Sequence, residues 1–251
     1  MHKNLLRGTR GIDWFEFVAS KDGAGVNLVT PDPTCAPHWF VSINGERTDM
    51  PADSLSFKEN DVVRVTYGGW DSGEFSAAGI DCCREVRGAL PWHGKSNYTR
   101  PFYGCRTLQK IEGTLFSRFQ TTVTDDWFNG CELLEEIPQG LLTKKNGSIL
   151  LLGRSTFSGC KSLKKADPDL MWNKNGNWYG FAYGSPNGAF QDCAQLVAEF
   201  RVSAIECPYG KFQLASGVPD GQITVHVRAG VEFARMLKAG NNSNINIIED
   251  L

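Results

Sequence analysis

One arrangement of apolar residues occurs four times in the middle of the chain. A phenylalanine, a cysteine and a leucine lie at positions i, i+3 and i+6, in segments 102–108, 128–134, 157–163 and 190–196. The four cysteines are 26, 29 and 33 residues apart, and three of them follow directly on a glycine. Periods of this length are typical of solenoid repeats.

The spacing also predicts a local conformation for each copy. On a helical turn, positions i, i+3 and i+6 share one apolar face, so we expect a short helical turn followed by an extended segment. A unit of this size cannot bury its own apolar face, and stacking on its neighbours would bury it. Cysteines in adjacent layers would lie about 4.8 Å apart, which a disulfide can span. The chain opens without an apolar export signal, so we expect a ladder of buried thiols instead.

The first 84 residues lack the repeat and show alternating apolar and polar residues instead. Three such runs, separated by turn signals, predict strands at 14–18, 38–43 and 62–67. The dipeptide Asn44-Gly45 follows the second run and predicts a hairpin. We therefore expect residues 1–84 to form a small antiparallel, β-sandwich-like domain. The segment 86–91 is expected to be the first strand of a solenoid that covers residues 85–251.

The last thirty residues predict a terminal unit for this solenoid. Their pattern predicts a strand at 223–227, a short helix at 231–237 and a last strand at 245–248. A solenoid needs a unit that covers its open edge, and segment 221–251 fits this role. The expected fold class is α+β and β-rich, with a small N-terminal β-domain, about four repeats and a C-terminal cap.

Composition excludes some partners. The formal net charge is -2 and 22% of the residues are charged, so no basic excess indicates a nucleic-acid partner. No apolar run approaches the roughly 20 residues that span a bilayer, so we expect no membrane insertion. The 27 glycines and seven tryptophans suit a β-rich protein with many tight turns.

The sequence shows no pattern that indicates catalysis or cofactor binding. The four histidines are scattered, and neither they nor the cysteines have metal-ligand spacing, so we expect no metal, no cofactor and no enzymatic activity. One acidic cluster leaves glycan hydrolysis open as an alternative. Its charges would be matched by lysines 161, 164 and 165 in the next repeat, and the two layers are expected to pair across the stack. The acidic residues are Asp125, Asp126, Glu132, Glu135 and Glu136.

The best candidate for a binding site is an expansion of the third repeat. Aromatic residues alternate with asparagine, glycine and serine between positions 172 and 188. Rigid rings mixed with small polar groups are typical of binding loops, and solenoid insertions often form a binding face. Alternatively, these rings pack against their own repeat. The candidate binding residues are Trp172, Trp178, Tyr179, Phe181 and Tyr183.

The repeated phrase resembles a known family. Phe-x-Gly-Cys-x-x-Leu, followed by LEEIPQGLL at 134–142, is similar to the BspA-type leucine-rich repeat. The closing segment, ITVHVRAGVEFARMLKAGNNSNINIIED, resembles the terminal cap of that family, although Arg228-Ala229 stands where a proline is common. The resemblance covers residues 85–251.

This resemblance implies binding or assembly rather than catalysis. Proteins with these repeats include bacterial surface adhesins, protozoan surface proteins and virion proteins of tailed bacteriophages. Because neither a signal peptide nor a wall anchor is evident, we expect a phage virion surface protein made in the host cytoplasm, for capsid decoration or in the tail. Its partners would be other virion proteins and a host-surface glycan or protein. A secreted bacterial adhesin is the alternative within the family.

Overall fold

The computed structural model of the chain is β-rich. It describes residues 13–24, 29–31, 40–48, 56–67, 73–75, 83–90, 100–117, 119, 123–144, 147, 149–173, 186–207 and 210–251. Within these ranges the chain forms short strands and one helix. The strands are β1 (Asp13–Ala19), β2 (Gly23–Ala24), β3 (Val29–Pro31), β4 (Phe40–Ile43), β5 (Glu46–Thr48), β6 (Ser56–Phe57), β7 (Val62–Tyr67), β8 (Gly73–Phe75), β9 (Cys83–Gly88), β10 (Lys110–Ile111), β11 (Glu136–Ile137), β12 (Lys165–Ala166), β13 (Ala198–Val202), β14 (Ile223–Val227) and β15 (Ile245–Glu249). The helix α1 (Glu232–Ala239) lies between β14 and β15.

The N-terminal strands form an antiparallel sheet in the order β9-β1-β7-β4-β5. The three alternating runs of the sequence correspond to β1, β4 and β7, so those predictions are confirmed. The hairpin at Asn44 and Gly45 is also confirmed, with φ of 52° and 87° at the two turn residues. Two short antiparallel ribbons, β2–β6 and β3–β8, accompany the sheet.

Strand β9 joins this sheet to the repeats. One edge pairs antiparallel with β1 and the other pairs parallel with β10. The predicted division between residues 84 and 85 lies inside this strand. A single cluster of buried apolar side chains extends from Phe15 in β1 to Ile245 in β15.

The repeats form a β-solenoid of about five turns. Parallel pairing links β10 to β9, β11 to β12, and β13 through β14 to β15. Backbone hydrogen bonds continue the stack where the strands are too short to pair. Glu135 N–H donates to Gln109 O at 3.3 Å, and Val197 N–H donates to Lys164 O at 3.2 Å.

The repeated phrase itself forms two successive tight turns rather than a helical turn. In the first copy, Cys105 N–H donates to Phe102 O at 3.0 Å and Leu108 N–H donates to Cys105 O at 3.2 Å, and the other copies repeat both bonds. The residue before each cysteine has a left-handed backbone, with φ from 59° to 80°. Glycine adopts this conformation without strain, which explains the three glycines. Asp192 takes this position in the fourth copy, with φ of 59°.

The phenylalanines of the phrase stack into a column through the core. Phe102, Phe128, Phe157 and Phe190 are fully buried, and adjacent rings are nearly parallel at centroid distances of 5.2, 5.1 and 5.8 Å. Phe200 of β13 extends the column with a centroid distance of 5.1 Å to the last of these rings. Offset stacking of this kind adds about 0.5–1.5 kcal/mol per pair beyond burial.

The cysteines occupy small buried positions beside this column. The thiols of Cys131, Cys160 and Cys193 donate to the phenylalanine carbonyl of the preceding layer at 3.0 to 3.3 Å. In the first layer, Cys105 Sγ lies 3.8 Å from Cys83 O. A thiol at this position therefore fills little space and also contacts the backbone of the adjacent layer. The expected ladder of buried thiols is confirmed for Cys105, Cys131, Cys160 and Cys193.

The C-terminal elements have the predicted order β14, α1 and β15. Phe233, Ala234 and Leu237 form the buried side of α1. Buried Asn242 donates to Phe212 O at 2.8 Å and to Leu237 O at 2.7 Å. The side chain thus ties the end of the helix to the last layer.

Replacing Phe157 by alanine should cost about 3–5 kcal/mol of unfolding free energy, because it removes a ring stacked on both sides. Urea unfolding of the purified chain measures this loss. Lys211→Ala changes an exposed side chain and should stay within about 0.5 kcal/mol of the wild type. Equal effects of the two substitutions would contradict the stacked column.

Candidate functional site

Of the five candidate binding residues, the described structure includes Trp172. It lies half-buried directly after Met171, which bridges to Val202 at the end of β13. The other four, Trp178, Tyr179, Phe181 and Tyr183, lie outside the described residues. Their role in binding stays a prediction.

Trp172 packs against a fixed arginine. The guanidinium carbon of Arg201 lies 5.3 Å from the centre of the Trp172 ring. The carboxylate of Asp169 holds this guanidinium, with a distance of 2.8 Å from Arg201 Nε to Asp169 Oδ1. The Arg201 side chain is 47% exposed and the Asp169 side chain 17% exposed. The half-buried Trp172 ring and the Arg201 guanidinium, which Asp169 holds in place, thus lie together at the surface.

Next to this group, His226 links the last three strands. Arg201 on β13 lies directly opposite His226 on β14. The His226 ring bonds to a carboxylate on either side, with Nε2 3.0 Å from Glu199 Oε1 and Nδ1 2.9 Å from Asp250 Oδ1. The hydrogen bond to Asp250, and the charges of both carboxylates, raise the pKa of His226 above its usual value.

The acidic and basic layers of the solenoid pair with each other, as predicted. Glu132 of the second layer lies 3.3 Å from Lys161 Nζ in the third layer and 3.8 Å from Arg106 Nε in the first. On the strands, Glu136 lies directly opposite Lys165 in the parallel register. The outward charges therefore alternate in sign from layer to layer.

The two aspartates of the acidic cluster make structural contacts. Asp126 is 8% exposed, lies 3.2 Å from Arg100 Nη2 and accepts a hydrogen bond of 3.0 Å from Asn129 Nδ2. Asp125 Oδ1 accepts the N–H of Arg154 at 2.7 Å. These carboxylates connect one layer to its neighbours.

Burial raises the pKa of the Cys160 thiol well above its usual value, because the thiolate would lose its hydration in the core. The neighbouring thiols of Cys193 and Cys131 act in the same direction. Among the described residues, no group of three or more histidine, cysteine, aspartate or glutamate side chains has an arrangement that could hold a metal ion. In the same part of the chain, no helix has both the length and the apolar character needed to cross a membrane.

Sequence reasoning missed the partners of Trp172 and His226. Asp169 and Arg201 are 32 positions apart, and His226 and Asp250 are 24 apart. These pairs form because strands of successive layers lie in register, and that register depends on repeat lengths that vary. A basic residue opposite an acidic one in aligned repeats was the signal that could have found the first pair.

No protein-family model, no curated protein sequence and no solved structure matches this chain.

Reversing the charge of Glu132 should destabilise the stack more than neutralising it. Glu132→Gln should cost at most about 1 kcal/mol, because Glu132 and its two partners are exposed. Glu132→Lys should cost more, since it places a third cation between Arg106 and Lys161. Glu206→Lys makes the same net-charge change at an exposed residue and serves as the control. Urea unfolding at low and high NaCl should show the difference between the two lysine variants shrinking with salt, and a difference independent of salt would contradict the pairing.

The contribution of His226 to stability should depend on pH. A raised folded-state pKa stabilises the fold fully below the unfolded pKa of about 6.5, and this stability is lost as the pH rises through the folded pKa. Wild type should therefore exceed His226→Gln in unfolding free energy near pH 6, and the gap should narrow at alkaline pH. Urea unfolding across this range measures the gap. A gap that widens with pH would show that the neutral ring is the stabilising form.

Proposed function

We propose that this chain is a non-enzymatic surface protein of a tailed-bacteriophage virion, either a capsid decoration protein or a tail-associated one. In this proposal the solenoid is a BspA-type leucine-rich repeat, and residues 1–84 form a β-sandwich-like domain that docks to the particle. The repeats then extend away from the docking site and contact a host-surface glycan or protein.

The observation that carries this proposal is the regular stack of layers, in which four layers share the same phenylalanine turn and three of them share the same thiol-to-phenylalanine-carbonyl contact. The phrase that builds these layers is the one that resembles the BspA-type family. Repeat stacks present a long surface built from equivalent positions, which suits recognition of an extended partner.

The arrangement of charge is consistent with a role in binding or assembly. Glu132 contacts lysine and arginine side chains in adjacent layers, and Asp125 and Asp126 contact neighbouring loops. These carboxylates stabilise the layered scaffold. The half-buried Trp172 ring and the exposed Arg201 guanidinium are then candidates for contact with a partner.

If the proposal is correct, the chain should be found in purified phage particles at a fixed ratio to the major capsid protein. Quantitative mass spectrometry of gradient-purified particles measures that ratio, and immunogold labelling with an antibody to the recombinant chain shows whether it lies on the head or the tail. A replication protein of the same phage serves as the negative control. Absence of the chain from particles that contain the major capsid protein would contradict the proposal.

A further inference from the structure

Three arginines in the described part of the chain share one arrangement. In each, a carboxylate bonds one side of the guanidinium, and the guanidinium lies over an exposed or half-exposed aromatic ring. We name each group after its ring. The Trp14 triad comprises Trp14, Arg64 and Glu16, the Tyr103 triad comprises Tyr103, Arg100 and Asp126, and the Trp172 triad comprises Trp172, Arg201 and Asp169.

The Trp14 triad lies on the N-terminal sheet. Arg64 on β7 is directly opposite Glu16 on β1, with Arg64 Nε 2.9 Å from Glu16 Oε2. The guanidinium carbon of Arg64 lies 4.4 Å from the centre of the Trp14 ring. The ring is 37% exposed and the arginine side chain 46% exposed, whereas the carboxylate side chain is 9% exposed.

The other two triads repeat this division between a covered carboxylate and accessible partners. In the Tyr103 triad, the guanidinium carbon of Arg100 lies 5.4 Å from the ring centre, and the carboxylate belongs to the largely buried Asp126. In the Trp172 triad, Asp169 occupies the same covered position behind Arg201. In each triad, the less exposed carboxylate therefore fixes the position of the more exposed guanidinium.

This geometry favours a ligand with an apolar ring face and an adjacent anion. When the protein's own carboxylate bonds one edge of a guanidinium, further N–H donors of that guanidinium remain available. Their planar fork matches the geometry of a second carboxylate, supplied by a ligand. The part of the aromatic ring that the guanidinium leaves uncovered offers an apolar surface for the C–H face of a sugar ring. Because the arginine is already fixed, less side-chain entropy is lost on binding. A sugar that carries a carboxylate combines both features.

The Trp14 and Trp172 triads lie on strands of one stack, in which three sheets are joined by backbone hydrogen bonds. Arg64 and Arg201 both project from the outward side of their strands, whereas their neighbours Val65 and Phe200 are buried. The strands between them follow the order β7-β1-β9-β10-β11-β12-β13. Six strand spacings of about 4.8 Å put the two arginines about 29 Å apart along the stack. A polymer lying across the strands can contact both.

We propose that the Trp14 and Trp172 triads are two binding sites for one polysaccharide chain whose sugars carry carboxylates. The proposal rests on the proposed function, because it names the ligand class of a host-facing surface, and the N-terminal domain then docks to the particle through a face other than the one that carries Trp14. Each site alone binds weakly, since its own carboxylate neutralises the arginine charge. A polymer that contacts both sites gains avidity of about 10²- to 10⁴-fold over a single contact.

The test uses the full chain and polygalacturonate as the probe, with carboxyl-reduced polygalacturonate as the matched neutral polymer. Surface-based interferometry measures both affinities. We expect binding to the carboxylated polymer, little binding to the reduced one and weak binding to digalacturonate. Equal binding of the two polymers, or no binding of the carboxylated one, overturns the proposal.

Substitutions in the Trp172 triad test whether its residues form one of the two polysaccharide-binding sites. Arg201→Lys keeps the charge and the contact to Asp169 but removes the planar fork, and Trp172→Ala removes the ring. Each should lower the polymer affinity on the order of 100-fold, because one site of two is lost. They should leave binding of the single-site digalacturonate within about twofold, because the Trp14 triad is intact. Arg235→Ala, which removes an exposed arginine of α1, is the matched control and should change neither value.

A loss in Arg235→Ala equal to that in Arg201→Lys would show general charge attraction and overturn the proposal. Thermal melting of each variant separates lost binding from lost folding, and Trp172→Phe provides a conservative replacement if Trp172→Ala is unstable. The virion proposal and the polysaccharide proposal can each be contradicted without the other, because detection of the chain in phage particles does not depend on polygalacturonate binding.

Discussion

The fold depends on contact between successive layers of the solenoid. In each layer the N–H of the repeated phenylalanine donates to a carbonyl of the next layer, at 2.8 to 3.1 Å. In the first three layers its ring also stacks on the phenylalanine ring of the next layer. A single layer buries too little surface to be stable alone, so these contacts provide both the burial and the register. The rest of the structure is arranged around them: small thiols beside the rings, left-handed turns around them and a closing helix at the end.

The outward side chains add specificity to this stack. Glu85 lies 4.0 Å from Lys110 across the first strand pair, and Glu136 lies opposite Lys165 in the third layer. A layer shifted by one position in the stack would place like charges side by side. Exposed pairs contribute little free energy individually, so their main effect is to disfavour wrong pairings of layers. Arg64 on β7 and Arg201 on β13 lie on strands of the same stack, so the scaffold and the proposed binding sites share one set of strands.

Much of this fold could be predicted from local patterns in the sequence. Alternation identified β1, β4 and β7, the Asn44-Gly45 pair identified the hairpin, and the final pattern identified β14, α1 and β15. The phrase turn was predicted wrongly as a helical turn, because an i, i+3, i+6 spacing fits either structure. The backbone of Gly130, with φ of 80°, decides for the tight turn. Contacts such as Glu16 to Arg64 join residues 48 positions apart, and only the strand register determines them.

Native-state hydrogen exchange of the phenylalanine amides tests most directly whether contact between layers holds the fold. The N–H groups of Phe102, Phe128, Phe157 and Phe190 each cross from one layer to the next. If these contacts carry the stability, all four should exchange only through opening of the whole stack, with protection close to the global free energy of unfolding. Rapid exchange of these four amides in a chain whose N-terminal sheet stays protected would contradict the account.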